Sequence, residues 1–202
     1  MFAKGIKGPL LASLAVLMTL LLIYYLIFHS LLMILVAMTQ LAFVLFFFRD
    51  PERVVPGKNS IVSPADGKVL SLDKETDKIE IFMNIWDVHV NRTPWAGTIT
   101  KKEHFSGSNL PAFTDSAEKN ERLLYVLKTD HGKINLWQVA GVFARRIVPY
   151  VEESEKIEKG EKIGMIRFGS RVKLKFSQDV DFKVKEGERV KAGETVLGDW
   201  DE

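Results

Sequence analysis

Four segments of this chain hold side chains that could do chemistry. In NIWDVHVNRTP, Asp87, His89, Asn91 and Arg92 fall within six residues. On a strand, where side chains alternate, Asp87, His89 and Asn91 would share one face and Arg92 would take the other. A single histidine in such a place is commonly structural, but a polar stripe at i, i+2 and i+4 in an apolar strand calls for a reason. SPADGKV sets Asp66 before Gly67 with Pro64 fixing the approach, and by residue type it is an Asp-Gly turn between strands. RFGSRVKLKF places Gly169 and Ser170 among apolar residues. It is not G-x-S-x-G, so a nucleophile elbow is not supported, and a bulge would account for the glycine. QVAGVFARRIVPYV carries Arg145 and Arg146, a pair suited to a phosphate or to carboxylates. FSGSNLPAF reads as a loop and DSAEKNER as a solvated charged stretch.

The elements that must position these residues are mostly strands. Beyond Pro51 and Pro56, short apolar or alternating runs are separated by turn residues, the pattern of a β-rich domain. Strands are expected at Ile61-Val62, Gly67 to Leu72, Ile79 to Asn84, Val88 to Asn91, Gly97 to Glu103, Leu123 to Lys128, Lys133 to Val139, Arg146 to Pro149, Lys162 to Arg167, Val172 to Phe176 and Thr195 to Leu197. Only Ala117 to Arg122 and Phe143 to Arg146 could form short helices. The segment from Val151, VEESEKIEKGEKIG, matches the one from Val184, VKEGERVKAGETVL, at a constant offset, with Val, Glu, Glu, Gly and Glu identical. Two copies imply two similar turns. Their form is similar to the hybrid motif of lipoyl and biotinyl carrier domains, although neither copy has the Met-Lys turn that such a carrier modifies.

The N-terminus follows another rule. No Asp, Glu, Lys or Arg occurs from Pro9 to Phe48, whereas residues 49 to 202 hold 26 of the 28 basic and all 26 acidic side chains. The mean hydropathy of +0.03 averages two unlike parts. A bilayer core needs about 20 helical residues to cross, so the uncharged stretch suits two crossings. His29 and Ser30 divide it into helices expected at Leu10 to Phe28 and Leu31 to Phe48, giving a membrane hairpin over 1–48 and a polar, β-rich domain over 49–202. Lys4 and Lys7 before it, and Arg49 and Arg53 after it, put both ends and the polar domain on the cytoplasmic side. A secretory signal would be far shorter. A hairpin that enters the interface without crossing is the competing arrangement.

Composition excludes several classes. The chain has no Cys, so disulfides, a CxxC metal site and a thiolate nucleophile are ruled out, and no metal is expected. A net charge of +2 without a basic run gives no reason to expect nucleic acid.

Taken in order and spacing, FFRDPERVVP, SPADGKV, FMNIWDVHVNRTP, DSAEKNER, QVAGVFARRIV and RFGSRV resemble the short form of the phosphatidylserine decarboxylase family, which includes archaetidylserine decarboxylases. The resemblance implies a mainly β, barrel-sandwich-hybrid-like domain behind a transmembrane hairpin, and a carboxy-lyase acting on a serine-headgroup lipid. It also implies self-cleavage. Ser170 Oγ attacks the Gly169 carbonyl, elimination cuts the chain, and a pyruvoyl group remains at the new N-terminus. Residues 1–169 become the β subunit and 170–202 the α subunit, held together as a heterodimer, with any higher oligomer left open. The substrate amine would form a Schiff base with the pyruvoyl ketone, giving the ethanolamine lipid and CO2.

By the same resemblance, Asp66 orients His89, and His89 takes the Ser170 proton and later protonates Cα. Arg92 stands where longer members have a second histidine, which makes Arg92, with Asn91, Arg145 and Arg146, a candidate for binding substrate. Arg171 follows the cleavage serine where longer members have Thr. The contrasting expectation is a membrane-anchored β-hybrid adaptor without catalysis, in which the repeat is structural and Ser170 is inert. Acyl and ether lipids are not distinguished by these residues.

Overall fold

The computed structural model describes residues 5–28, 31–57, 59–108, 119–141, 146–167 and 170–201. The chain divides into two units, Met1–Pro51 and Glu52–Glu202.

In the first unit, α1 (Lys7–Ile23) continues into a π-helical turn over Tyr24–Phe28, and α2 (Leu31–Phe47) packs against α1. Gln40 Nε2 on α2 donates to Ser13 Oγ on α1 at 3.2 Å. The Thr19 and Thr39 hydroxyls donate to the Ala15 and Leu35 carbonyls one turn earlier. These hydroxyls are thus satisfied inside the helix pair, as hydrocarbon surroundings demand. Leu11, Met18, Leu22, Leu31, Leu32 and Leu35 are each more than half exposed. So large an apolar surface is matched by lipid and opposed by water. Lys7–Ile27 is long and apolar enough to cross a bilayer, while Leu31–Phe47 is shorter. This unit therefore fits membrane association. The turn expected at His29 and Ser30 lies outside the described residues.

The second unit is built from strands. They are β1 (Ile61–Val62), β2 (Gly67–Asp73), β3 (Lys78–Met83), β4 (Val90–Arg92), β5 (Gly97–Phe105), β6 (Arg122–Thr129) and β7 (Gly132–Val139). The rest are β8 (Ile147–Pro149), β9 (Lys156–Ile157), β10 (Lys162–Ile166), β11 (Ser170–Phe176), β12 (Val180–Phe182), β13 (Arg189–Val190) and β14 (Val196–Trp200). One sheet has the order β13-β2-β3-β11-β7-β6-β5-β9, and two smaller ones run β4-β10-β8 and β1-β14-β12. All these pairings are antiparallel.

Alternation sets the two faces of the large sheet. Ile79, Ile81 and Met83 of β3, Val172 and Leu174 of β11, and Ile134 and Leu136 of β7 are buried in a single core. Each such side chain contributes about 1.5–3 kcal/mol on burial. Glu80, Lys173 and Trp137 point the other way, where Lys173 and Arg171 both pair with Glu80 across β11 and β3. The β6–β7 hairpin turns at Gly132, whose φ of 122° suits a residue without Cβ.

The two repeat copies share backbone geometry. Ser154 and Gly187 both have positive φ (69° and 85°), as do Gly160 and Gly193 (78° and 74°). Glu161 N donates to Glu158 O, and Glu194 N to Lys191 O, each at 3.1 Å. β9 and β13 are the corresponding strands, one at each end of the large sheet.

Most expected strands are present within a residue or two. β9, β12 and β13 were not anticipated, because two or three residues with charges among them show no alternation. The stretch from Val88 differs in kind. Its strand begins only at Val90, so Asp87, His89 and Asn91 do not form one stripe, and Arg92 is buried with its neighbours. The helix expected at Ala117 to Arg122 does not continue over its described end, where Asn120 makes a bridge to Ser108 and Arg122 opens β6, while that at Phe143 to Arg146 lies almost wholly outside the described residues.

Candidate active site

Ser170 is the first residue of β11, directly opposite Met83 of β3. β11 lies between β3 and β7 and bonds to both, so the serine is at one end of a central strand. Its side chain takes the inward phase of the alternation, is wholly buried, and its hydroxyl makes no hydrogen bond. A buried hydroxyl without a partner is costly and usually has a chemical explanation. Gly169 lies outside the described residues.

His89 is wholly buried immediately before β4. Its Nδ1 is 2.9 Å from the Asp87 carbonyl oxygen. A carbonyl can only accept, so Nδ1 carries the proton and Nε2 the lone pair when the ring is neutral. The Asp87 carbonyl is positioned by a tight turn in which Asp87 N donates to Asn84 O and Asn84 N donates to Asp87 Oδ2. Asp87 Oδ1 also pairs with Arg189. The His89 carbonyl accepts from Ile166 N at 3.3 Å. Ser170 is four residues further on, a span of at most about 14 Å.

Asp66 has different partners from those expected. Its two carboxylate oxygens accept from Arg53 Nη2 at 3.0 and 2.9 Å, and Oδ1 also accepts from Ala192 N at 2.8 Å. The hydrogen bond that orients the His89 ring comes from Asp87. Asp66 and His89 are linked through the backbone instead, because the Pro64 carbonyl, two residues before Asp66, accepts from Arg92 N on β4. Gly67 has a φ of 148°, and a Cβ there would stand 2.1 Å from the Phe82 carbonyl oxygen, so the Asp-Gly turn requires glycine.

Arg92 was a candidate for substrate and is otherwise engaged. It is buried, donates from Nη1 to the Gly160 carbonyl at 3.0 Å, and lies against Gly193, so it braces the turns of both repeat copies. Asn91 is wholly buried, with Nδ2 3.4 Å from the sulfur of Met83, the residue opposite Ser170. Its Oδ1 accepts from Gln138 Nε2 at 2.7 Å. Gln138, which sequence reasoning passed over, pairs with Val172 on β11, two residues from Ser170 and on the same face. The signal for it was a polar residue at an inward position of an alternating strand.

Arg145 lies outside the described residues. Arg146 is exposed, and its carbonyl accepts from Arg167 N at 3.4 Å. Arg167 was also missed. Burial, and then the neighbouring Arg146, hold its guanidinium below its ordinary pKa. A groove of about 310 Å³ lined by Lys78, Trp137, Arg171, Lys173 and Lys175 lies on the outer face of β11, the opposite face from the Ser170 side chain. No cluster of three or more metal-ligating side chains occurs among the described residues.

Comparison with known proteins gives this geometry its context. Residues 41–198 match the family described as phosphatidylserine decarboxylase. A phosphatidylserine decarboxylase proenzyme of Streptomyces coelicolor is 47% identical over 156 residues, covering 76% of this chain and 71% of the relative. One of Syntrophus aciditrophicus is 44% identical over 173 residues, covering 80% and 81%. A protein of Methanococcoides burtonii that carries the provisional name archaetidylserine decarboxylase proenzyme is 47% identical over 156 residues, covering 77% and 74%. The enzyme class is thus a carboxy-lyase, and the adaptor expectation is set aside. The chain belongs to the phosphatidylserine decarboxylase family.

Proposed function

We propose that this chain is a membrane-bound decarboxylase that converts a serine-headgroup lipid, phosphatidylserine or archaetidylserine, to the ethanolamine lipid and CO2. It does so with a pyruvoyl group that it makes by cutting itself between Gly169 and Ser170. The observation that carries this reading is the wholly buried, unbonded hydroxyl of Ser170 at the end of β11; His89, held as the Nδ1–H tautomer, supports it.

A serine hydroxyl is a weak nucleophile until a base takes its proton. His89 Nε2 is that base, since Nδ1 is committed to the Asp87 carbonyl. The Ser170 oxygen bonds to the Gly169 carbonyl carbon, the Gly169–Ser170 amide bond breaks, and an ester replaces it. Removal of the Cα proton of residue 170 and departure of the ester oxygen from Cβ leave a Cα=Cβ double bond and free residues 1–169 as a carboxylate chain. Water then replaces nitrogen at Cα of residue 170 as ammonia leaves. When present, the pyruvoyl group supplies the electron sink that no standard side chain offers as CO2 leaves Cα. In this reading His89 returns a proton to that carbon.

Asp66 is a positioning residue in this scheme. It holds the Ser63–Gly67 turn, and through Pro64 the strand that follows His89. Arg146 and Arg167, two cations adjacent at an energetic cost to each other, suit the lipid phosphate. The apolar helices keep the enzyme beside a substrate that stays in the bilayer, with the basic flanks placing the catalytic unit on the cytoplasmic face.

Denaturing electrophoresis tests the proposal. The purified protein should give fragments of about 19 and about 4 kDa, in proportion to 169 and 33 residues of a 22.9 kDa chain, while Ser170→Ala stays whole. A wild-type protein that remains one chain, with no hydroxylamine-reactive carbonyl, would refute it.

A further inference from the structure

Beside Ser170 lies a second polar feature that self-cleavage does not use. Gln138 and Asn91 are both wholly buried and joined by one hydrogen bond, Gln138 Nε2 to Asn91 Oδ1 at 2.7 Å. Gln138 Oε1 has no hydrogen-bond partner. The Asn91 amide nitrogen meets only a thioether in its other direction, at 3.4 Å from Met83. A thioether is a weak acceptor, so this donor is easily redirected. The pair therefore presents one open acceptor and one loosely held donor.

Both are close to the reacting residue. Met83 is opposite Ser170 on one side of β11, and Gln138 is opposite Val172 on the other. Same-face diagonal neighbours in a sheet have Cα atoms about 7–8 Å apart, within reach of a glutamine side chain. Space for the amide is built into the fold. A Cβ on Gly164 would stand 3.0 Å from each of the Gln138 amide atoms and 2.9 Å from the Val148 carbonyl oxygen. Burying an amide acceptor without a partner is costly and calls for a reason.

We propose that Gln138 is a specificity residue for the headgroup, working as a pair with Asn91. Gln138 Oε1 accepts an N–H of the serine amino group, and Asn91 Nδ2 turns from Met83 to donate to the serine carboxylate. This rests on the serine-lipid reading given above and names residues for it. An α-amino acid displays a donor and an acceptor on one carbon, which is the complement of the amide pair. Neutrality matters as well. A carboxylate at position 138 would repel the substrate carboxylate, which an amide does not.

The test uses the full-length chain in detergent with two near-isosteric variants, Gln138→Met and Gln138→Glu. Self-cleavage is read first, on a denaturing gel. The second readout is covalent capture of a lipid amine on the 33-residue fragment by borohydride reduction, followed by mass, with phosphatidylserine and phosphatidylethanolamine compared. Both variants should cleave. Gln138→Met should need roughly ten- to hundredfold more of either lipid for equal capture, from loss of one buried acceptor. Gln138→Glu should lose capture of the serine lipid while retaining that of the ethanolamine lipid, which lacks the carboxylate.

Equal capture of both lipids by wild type and both variants would overturn the assignment and leave the decarboxylase reading intact. Failure of both variants to cleave would also overturn it, by placing Gln138 in packing or in scission. An uncut wild-type chain that captures nothing would instead sink the underlying reading.

Discussion

Replacing Asp66 by Asn tests how the turn before β2 supports the site. The carboxylate accepts two bonds from Arg53 and one from Ala192 N, and the two side chains are only 6% and 13% exposed. Breaking a buried pair from one side costs about 3–5 kcal/mol. Asparagine keeps one acceptor oxygen, and Glu194 remains 3.5 Å from Arg53, so a loss of about 3 kcal/mol is expected. In a domain of about 150 residues, about 1 kcal/mol moves Tm by about 2–4 °C, which gives a fall of roughly 6–12 °C. The measurement is thermal unfolding in detergent on a Ser170→Ala background, which keeps every sample uncut. With Ser170 restored, self-cleavage should slow, because the Pro64 contact to β4 loosens. Arg53→Met should reproduce both effects, since the two residues act as one unit. If Asp66→Asn blocks cleavage while Arg53→Met leaves melting and cleavage untouched, Asp66 acts directly on the histidine and the positioning role is wrong.

Other expectations are more local. After self-cleavage the two fragments should stay together through size-exclusion chromatography and separate only in denaturant, because β11 of the small fragment is bonded to β3 and β7 of the large one. Elution of the small fragment alone from native protein would contradict that topology. Gly164→Ala should destabilise by about 1–3 kcal/mol, since its Cβ would press on the Val148 carbonyl and the Gln138 amide; a variant melting like wild type would show that this space is not tight. Asp130 accepts from Trp95 Nε1 at 2.8 Å, which is the main cause of its lowered pKa. A carboxyl depressed by folding adds stability above its unfolded pKa of about 3.9 and loses it as pH falls through the lower, folded value. The stability gap between wild type and Asp130→Asn, read by denaturant unfolding with tryptophan fluorescence, should thus be widest near neutral pH and close as pH falls below about 3.9, remaining small for so exposed a group; a gap independent of pH would refute the link.

Much of the fold could be read along the chain because its causes are local. Ile79, Ile81 and Met83 alternate with Lys78, Glu80 and Phe82, so β3 and its inward face follow from period two alone. The uncharged N-terminal stretch likewise declares its surroundings by composition. Short strands such as β13 escaped, since Arg189 and Val190 become a strand only by lying beside Lys68 and Gly67. The polar stripe of Asp87, His89 and Asn91 was misjudged for a related reason. Whether the chain is extended at Asp87 depends on its carboxylate closing a turn onto Asn84 and meeting Arg189, a residue about a hundred positions away.

The site divides in the same way. Ser170, His89 and Asp66 stand out by type and motif, and the proposed self-cleavage at a Gly-Ser bond would involve residues adjacent in sequence. Sequence by itself therefore determined the family, the serine and histidine proposed to react, and the two solvents the chain must satisfy. Which partner each side chain takes was decided only in three dimensions. The Asp87 carbonyl rather than Asp66 orients His89, Arg92 is committed to the repeat turns, and Gln138 joins Asn91 beside the serine. Hydrogen bonds reach about 3 Å, so these assignments depend on strand register and on which strands become neighbours. Both are settled when β11 enters the sheet between β3 and β7 and buries its apolar face in the common core.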